Sequence, residues 1–166
     1  MKILNNLNDV SKNPKAVTIG NFDGVHKGHQ ALINKTREIS TKNDTESLIF
    51  TFNKLPKEIF SPDTVQRLYD NKIKESILSS YKINTLLSID FNEIKDYSAD
   101  FFCEEILIKK LNTRYLIIGE NFKFGKDRSG DIEKLRKYDS KNTFELMVPE
   151  LEVYGGIRIS LSLIHI

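Results

Sequence analysis

The chain has 166 residues, of which 39% are hydrophobic and 29% charged, a composition typical of a globular domain. A chain of this length buries enough apolar surface to fold as one domain without disulfides or a structural metal. Its 25 basic and 23 acidic residues are interspersed and leave a net charge of +2, so we expect no one-signed surface for nucleic acid or anionic lipid. No run of about 18 apolar residues predicts a membrane span.

The single cysteine, Cys103, follows two phenylalanines in an apolar segment. This setting predicts a buried thiol in a reducing compartment, because no neighbouring base could activate it as a nucleophile. The apolar run at the amino terminus stops after Leu4, too early for the core of a signal peptide. The sequence therefore predicts a cytoplasmic protein.

Short apolar runs alternate with segments of helical periodicity along the chain. The predicted strands are 16–20, 47–52, 85–89, 115–119 and 144–148. The first predicted helix starts at His29. The other predicted helices span 64–81, 98–111 and 131–138, and Ser98 is the predicted N-cap of the second of these. This order predicts an α/β fold whose parallel sheet is covered by helices on both faces. Ligands of such sheets bind beyond the carboxyl ends of the strands, so the loops after the first, second and fourth predicted strands are candidate sites.

The loop after the first predicted strand, residues 20–29, holds three glycines and two histidines. Glycine lets the backbone approach a ligand, and the helix that follows offers N–H groups and a positive dipole end to a phosphate. His26 and His29 are three residues apart, so in a first helical turn they share one face. We expect His29 to face the loop and to contribute little to core packing.

Two other interpretations of this loop are open. The histidines are surface residues of a tight turn, or they belong to a zinc site whose other soft ligands would be Cys103 and His165. The spacing differs from G-x-G-x-x-G and from the P-loop, so neither a nicotinamide dehydrogenase nor a Walker-type ATPase is supported.

The loop resembles the HxGH signature of the nucleotidylyltransferase superfamily, and its longer form resembles the bacterial FAD synthetase family: Ile19-Gly20-Asn21-Phe22-Asp23-Gly24-Val25-His26-Lys27-Gly28-His29-Gln30. The resemblance implies a Rossmann-like nucleotidylyltransferase sandwich and an FMN adenylyltransferase that makes FAD from FMN and Mg-ATP. It implies that His26 and His29 are catalytic. The ATP-binding residues that it implies in this loop are Gly20, Asn21, Phe22, Asp23, Gly24, His26, Lys27, Gly28 and His29.

The segment after the second predicted strand is similar to the family's Thr-Phe-Asp-Pro-His-Pro, which lies near the flavin and nucleotide. Its sequence here is Thr51-Phe52-Asn53-Lys54-Leu55-Pro56. The resemblance implies that Phe52 and Asn53 bind flavin. Asn53 and Leu55 replace the acidic residue and the histidine, so the roles of those two side chains do not carry over.

The segment after the fourth predicted strand, residues 119–130, resembles the family's Gly-x-Asp/Asn-Phe-x-Phe-Gly loop that closes with Arg-x-Gly. A flavin or adenine ring needs a flat apolar surface, and phosphates need nearby cations. The resemblance implies that Asn121 is catalytic by orienting phosphate or flavin. The flavin-binding residues that it implies are Asn121, Phe122, Phe124, Gly125 and Arg128. The alternative for the two aromatic rings is a place in the core.

The family's nucleotide site is completed by Arg-Ile-Ser-Ser-Thr-x-Ile-Arg, and this chain has Arg158-Ile159-Ser160-Leu161-Ser162-Leu163-Ile164-His165. The resemblance implies ATP contacts for Arg158, which would also be catalytic, for Ser160 and for Ser162. Leu161 replaces a hydroxyl and His165 an arginine, so we expect weak ATP binding.

The resemblance covers residues 1–160, which we interpret as one FMN adenylyltransferase domain followed by an atypical tail, 161–166. The family's riboflavin kinase domain has no counterpart in the sequence, so the expected flavin is FMN. The expected partners are small molecules, with neither nucleic acid nor membrane, and magnesium arrives with ATP without a dedicated metal site. Two alternatives are another HxGH nucleotidylyltransferase, against which the Phe-x-Phe-Gly loop argues, and a non-catalytic flavin or nucleotide binder.

Overall fold

The computed structural model describes residues 1–53, 70–141 and 143–150, and the backbone of 153–154 and 157–158. The strands are β1 Lys2–Leu4, β2 Lys15–Ile19, β3 Glu46–Phe52, β4 Thr85–Ile89, β5 Thr113–Ile117, β6 Glu145–Met147, β7 Val153–Tyr154 and β8 Ile157–Arg158. The first six form one parallel sheet in the spatial order β1-β4-β3-β2-β5-β6. Strands β7 and β8 pair with each other in antiparallel orientation.

Four helices accompany the sheet in the described part of the chain. They are α1 Lys27–Asn43, α2 Asn71–Ser79, α3, which begins as an α-helix at Ala99–Phe101 and continues as a π-helix at Phe102–Lys110, and α4 Ile132–Ser140. Short 3₁₀ turns occur at Leu7–Asp9, Asp23–Val25, Phe91–Glu93 and Lys126–Arg128. None of these described helices is long and apolar enough to cross a membrane.

Helices cover both faces of the sheet. On β2, Val17 packs in a cluster with Leu107 of α3 and Leu135 of α4, whereas its neighbour Ala16 packs with Leu32 of α1. Helix α2 packs on the same face as α1. The alternation follows the two-residue period of a strand and buries all of β2. The predicted α/β fold with a parallel sheet between two helical layers is confirmed.

Strands β1, β7 and β8 and the helix over 64–81 differ from the sequence prediction. Strand β1, Lys2–Leu4, was not predicted, because three residues at an exposed sheet edge carry too little alternation. The predicted helix 64–81 is not continuous: Asp70 has extended backbone and its Oδ1 accepts a hydrogen bond from the Ile73 N–H at 2.8 Å. Because Asp70 is an N-cap, α2 begins at Asn71. The first residues of the predicted helix, 64–69, lie outside the described residues.

The predicted N-cap of α3 is confirmed, because the Ser98 Oγ accepts a hydrogen bond from the Phe101 N–H at 3.1 Å. The helix then widens into π geometry, in which the Leu111 N–H donates to the Ile106 carbonyl at 2.9 Å. Apolar spacing predicts a helix over 98–111 but does not distinguish these two hydrogen-bonding patterns.

Strand β2 lies inside the sheet, and strands that follow it in the chain lie on both of its sides. It first forms β2, β3 and β4 in adjacent positions, and then returns to the other side of β2 to form β5 and β6. The register pairs Val17 with Leu116 and Thr18 with Ile117, so the carboxyl ends of β2 and β5 lie side by side. The strand order therefore reverses between β2 and β5, which is where open α/β sheets bind their ligands.

Replacing Ser98 with alanine tests the cap on α3. The change removes the acceptor for the Phe101 N–H, and we expect the free energy of unfolding to fall by about 1 kcal/mol. Urea denaturation followed by circular dichroism measures the change. Ser76→Ala, at an exposed position inside α2, is the matched control and should change stability by less than about 0.5 kcal/mol. Equal stability of the two variants would contradict the assigned cap.

Candidate active site

The loop between β2 and α1 has an unusual backbone. Phe22, Gly24 and Val25 all have positive φ, at 52°, 76° and 42°. For phenylalanine and valine this conformation is unfavourable, and it persists only where the surroundings fix it. Phe22 is fully buried, and it packs with Val25 and with Ile33 of α1 in one apolar cluster. Burial of these side chains therefore stabilises the strained turn that leads into α1.

The two histidines of this loop stack on each other at the amino end of α1. Their ring centroids are 3.6 Å apart with 22° between the ring planes. His26 is the N-cap residue of α1, and its carbonyl accepts the Gln30 N–H at 2.9 Å. The predicted convergence of His26 and His29 on one face is thus observed, beside the positive end of the helix dipole.

His29 is 1% exposed, and its ring lies 5.0 Å from the Phe22 ring. The expectation that His29 contributes little to packing is wrong, because α1 begins at Lys27 and turns this side chain inward. The interpretation of His29 as a surface residue is wrong for the same reason. His26 is half-buried beside it.

A zinc site receives no support from the described residues. No group of three or more histidine, cysteine, aspartate or glutamate residues within 1–53, 70–141 and 143–150 is arranged to hold a metal ion. Cys103, on α3, is fully buried in the core, as predicted. Burial raises the pKa of its thiol to about 12, so at neutral pH the thiol is protonated. His165 lies outside the described residues.

The ATP-binding residues predicted in the first loop all lie between the end of β2 and the first turn of α1. The Gly20 N–H donates to the Phe50 carbonyl at 3.1 Å, which ties the loop to β3. Gly28 is buried and Lys27 is exposed at the start of the helix. Asn21, Asp23 and Gly24 are half-buried. A phosphate at this helix end would meet backbone N–H groups and the Lys27 cation together.

The second predicted segment follows β3 beside this loop. Phe52 is buried, packed edge-on against Phe50 and Phe91 at 5.6 and 5.3 Å. Asn53 is half-buried, and its N–H donates to the Ile89 carbonyl at 3.0 Å. Leu55 and the rest of the segment lie outside the described residues.

Helix α2 contributes two side chains that the sequence did not suggest. The Asn71 Nδ2 donates to the Asn53 carbonyl at 2.8 Å, and the Lys74 ammonium donates to the Phe52 carbonyl at 2.9 Å. The same ammonium reaches the Asn21 carbonyl of the first loop at 3.2 Å. A lysine four residues before Leu78 on an apolar stripe is the one sequence signal that could have indicated an inward-facing cation.

The loop after β5 carries the two aromatic rings. Phe124 is 8% exposed and packs on Phe102 of α3 at 5.5 Å, whereas Phe122 is half-buried and stacks on Phe124 at 5.6 Å. Phe124 therefore lies in the core, and Phe122 is the ring with more surface left for a ligand. Asn121 and Arg128 are exposed on the same loop.

Two glycines fix the shape of this second loop. Gly125 has φ of 77° and ψ of 168°, and a β-carbon there would lie 2.9 Å from the backbone of Ala99. A β-carbon on Gly130 would lie 2.6 Å from the Phe124 ring. Phe124 and Gly130 also exchange two backbone hydrogen bonds, at 3.2 and 2.8 Å. The loop is therefore held against α3 with Arg128 at its exposed turn.

The structure places the first and third predicted segments at the adjacent carboxyl ends of β2 and β5, with the second at the end of β3. It does not test the tail. Arg158 belongs to β8 by its backbone, and Ser160 and Ser162 lie outside the described residues. The described site is thus a strained, glycine-containing loop with paired imidazoles beside an aromatic loop.

The chain is similar to known proteins over most of its length. Residues 8–163 match the model of the FAD synthetase family. The chain belongs to the FAD synthetase family. A protein of Buchnera aphidicola subsp. Schizaphis graminum, called bifunctional riboflavin kinase/FMN adenylyltransferase, is 37% identical over 160 residues, which are 95% of this chain and 51% of that protein. A protein of the same name from Escherichia coli K12 is 31% identical over 165 residues, at 96% and 53% coverage. The chain spans about half the length of these family members.

Solved structures support the fold of this family member. A protein described as a macrolide-efflux protein from Streptococcus pneumoniae superposes with a TM-score of 0.78 at 26% identity, over 98% of this chain and 53% of that one. Pantothenate synthetase from Thermus thermophilus superposes with a TM-score of 0.59 at 12% identity, over 100% of this chain and 68% of its own. The second likeness concerns the fold alone.

Replacing Gly125 with alanine tests the anchoring of the aromatic loop. The new methyl group would meet the Ala99 backbone, and alanine is unfavourable at this φ and ψ, so we expect a loss of about 1–3 kcal/mol in the free energy of unfolding. Ser129→Ala, at an exposed position of the same loop, is the control and should change little. Chemical denaturation measures both, and an unchanged Gly125→Ala stability would contradict the described loop.

Proposed function

We propose that this chain transfers AMP from Mg-ATP to FMN, producing FAD and pyrophosphate. The observation that carries the proposal is the stacked imidazole pair of His26 and His29 at the amino end of α1, where the strand order reverses. Membership of the FAD synthetase family and the names of the two bacterial relatives support it. Residues 1–160 would be the adenylyltransferase unit.

The chemistry of the transfer suits a site without a strong base. The second pKa of a phosphate monoester is near 6, so the FMN phosphate is already mostly ionised at neutral pH. Its oxygen attacks the α-phosphorus of ATP in line, a new P–O–P bond forms, and the bond to the β-phosphate oxygen breaks to release pyrophosphate. The protein has to hold two anions together and to stabilise the charge on the equatorial oxygens.

We assign charge stabilisation at the α-phosphate to His26 and His29, whose rings share one face at the positive end of α1. Lys27, exposed at the first turn of α1, would offset phosphate charge, and so would Arg158. Ser160 and Ser162 would add hydroxyl contacts. Magnesium enters as part of the Mg-ATP substrate, held by phosphates and water.

The flavin is assigned to the loop after β5. Phe122 offers a half-buried ring for the isoalloxazine, and the exposed Arg128 offers a cation for the FMN phosphate. Asn121 would orient phosphate or flavin by hydrogen bonds. Phe124 would act by supporting Phe122, because the two rings stack at 5.6 Å with 16° between their planes. A cytoplasmic location suits the free, buried thiol of Cys103.

A second candidate function is binding of flavin or nucleotide without turnover. The observation that favours it is the replacement of a hydroxyl by Leu161 and of an arginine by His165 in the segment that would contact ATP. Incubation of the purified chain with FMN, ATP and magnesium, followed by chromatography, decides between the two. Our proposal expects FAD and pyrophosphate in equal amounts, and no FAD from riboflavin, which lacks the attacking phosphate. Bound FMN without FAD would select the second candidate.

Replacing His29 with alanine tests the imidazole pair. The change removes one donor to the developing charge, and we expect kcat to fall roughly 10²–10³-fold, about 2.7–4 kcal/mol. Because His29 is buried, stability should fall as well. Thr36→Ala is the matched control, since Thr36 is also buried on α1, seven residues and about 10 Å further along the helix. It should lose stability while keeping turnover per folded molecule, and an equal kcat for both folded variants would disprove the catalytic role.

A further inference from the structure

A buried ammonium group joins the loop after β2 to the end of β3. Lys74 of α2 is 5% exposed, and its Nζ donates to the Asn21 carbonyl at 3.2 Å, to the Thr51 Oγ1 at 3.3 Å and to the Phe52 carbonyl at 2.9 Å. The Thr51 Oγ1 in turn donates to the same Asn21 carbonyl at 3.0 Å. Two donors from two different elements thus converge on one backbone oxygen.

The Asn21 carbonyl oxygen, which accepts both hydrogen bonds, lies directly before the strained turn of the loop. Asn21 immediately precedes Phe22, whose φ of 52° begins the strained turn into the histidine pair. A left-handed phenylalanine is unfavourable and needs surroundings that hold its peptide plane. The Asn21 carbonyl belongs to that peptide plane. Because one of its two donors is charged, the contact is stronger than a neutral hydrogen bond.

The turn also determines where the imidazoles lie. Residues 22–25 connect Asn21 to His26, the N-cap residue of α1. Phe22, Gly24 and Val25 have positive φ, so a rotation of the Asn21–Phe22 peptide would displace the whole segment relative to β2. A displacement of about 1 Å at a reacting centre is enough to lower a rate on the order of 10²-fold.

We propose that Lys74 is a positioning residue for the adenylyl transfer: its ammonium fixes the Asn21 carbonyl and thereby the turn that presents His26 and His29. The kinetic part of this inference rests on the proposed function, whereas its structural part, the rigidity of residues 20–30, does not.

The chain contains a matched control for this role. Lys15 is 1% exposed and its ammonium also donates to three oxygens, which here are the backbone carbonyls of Ser11, Asn13 and Leu111. Lys15 is the first residue of β2, at the opposite end of the sheet from the loop. Burying an ammonium and losing its hydrogen bonds should therefore have similar effects on stability at both positions. The two lysines differ in the segments that they bind: Lys74 donates to the loop after β2 and to the end of β3, whereas Lys15 donates to the segments before β2 and before β5.

The experiment compares Lys74→Met with Lys15→Met, both of which replace the ammonium by an apolar side chain of similar length. Hydrogen exchange followed by mass spectrometry should show amides 20–30 exchanging at least about tenfold faster in Lys74→Met, relative to the amides of β4 in the same sample. Lys15→Met should leave that ratio within about twofold of the parent. The kcat for FAD formation should fall about 10–100-fold in Lys74→Met, with KM for ATP within about threefold. Lys15→Met should keep both constants per folded molecule.

Thr51→Val keeps the test decisive if Lys74→Met does not fold. It removes the second donor to the Asn21 carbonyl in a nearly isosteric way, and we expect a smaller fall in kcat, about 3–10-fold. In the double variant kcat should be no more than about twofold below that of Lys74→Met, because both changes act through one oxygen. Independent, multiplicative effects would overturn the inference.

The outcomes separate the two proposals. A parent chain that forms no FAD refutes the proposed function, and the exchange ratio of residues 20–30 still decides whether Lys74 holds the loop. Unchanged exchange in folded Lys74→Met, or equal losses of kcat in the Lys74→Met and Lys15→Met variants, would overturn the positioning role. Faster exchange of residues 20–30 together with the selective loss of kcat would establish it.

Discussion

The parallel hydrogen bonding between β2 and β5 is the constraint on which the rest of the structure depends. It brings together two loops, residues 20–26 and 119–130, that are almost a hundred residues apart in the chain. Parallel neighbours cannot be joined by a hairpin and need a crossover, which α3 provides before β5. The same helix holds the second loop, since Gly125 lies against Ala99. One pairing thus fixes both sides of the candidate site.

The first loop shows how the fold stabilises an unfavourable backbone. Phe22 and Val25 each have positive φ, at a cost of about 1–2 kcal/mol per residue. Both side chains are buried, and full burial of such a side chain contributes about 1.5–3 kcal/mol. Burial therefore offsets the strain, and the hydrogen bonds to the Asn21 carbonyl select this one geometry among the compact alternatives. The position of the histidine pair therefore depends on a turn that the buried side chains of Phe22 and Val25 stabilise.

The sequence predicted the sheet better than the details of the site. Apolar runs and helical spacing located every central strand, because both faces of this sheet are buried and each run is continuous. The same reasoning missed the inward turn of His29 and left open whether Phe124 binds flavin or lies in the core, since burial depends on neighbours that are remote in sequence. It also missed Lys74, whose acceptors are backbone carbonyls of two other elements. Asp70 is the N-cap at which α2 begins, a local capping signal that the apolar stripe over 64–81 obscured.

The position of the α-phosphate in a bound nucleotide is the most direct test of this account. A crystal of the chain with FMN and an ATP analogue that carries a methylene group between the α- and β-phosphorus would hold both reactants without transfer. We expect the α-phosphate about 3 Å from the imidazole nitrogens of His26 and His29, at the carboxyl ends of β2 and β5. Phosphates bound at the amino ends of the strands, or beyond the reach of both imidazoles, would contradict it.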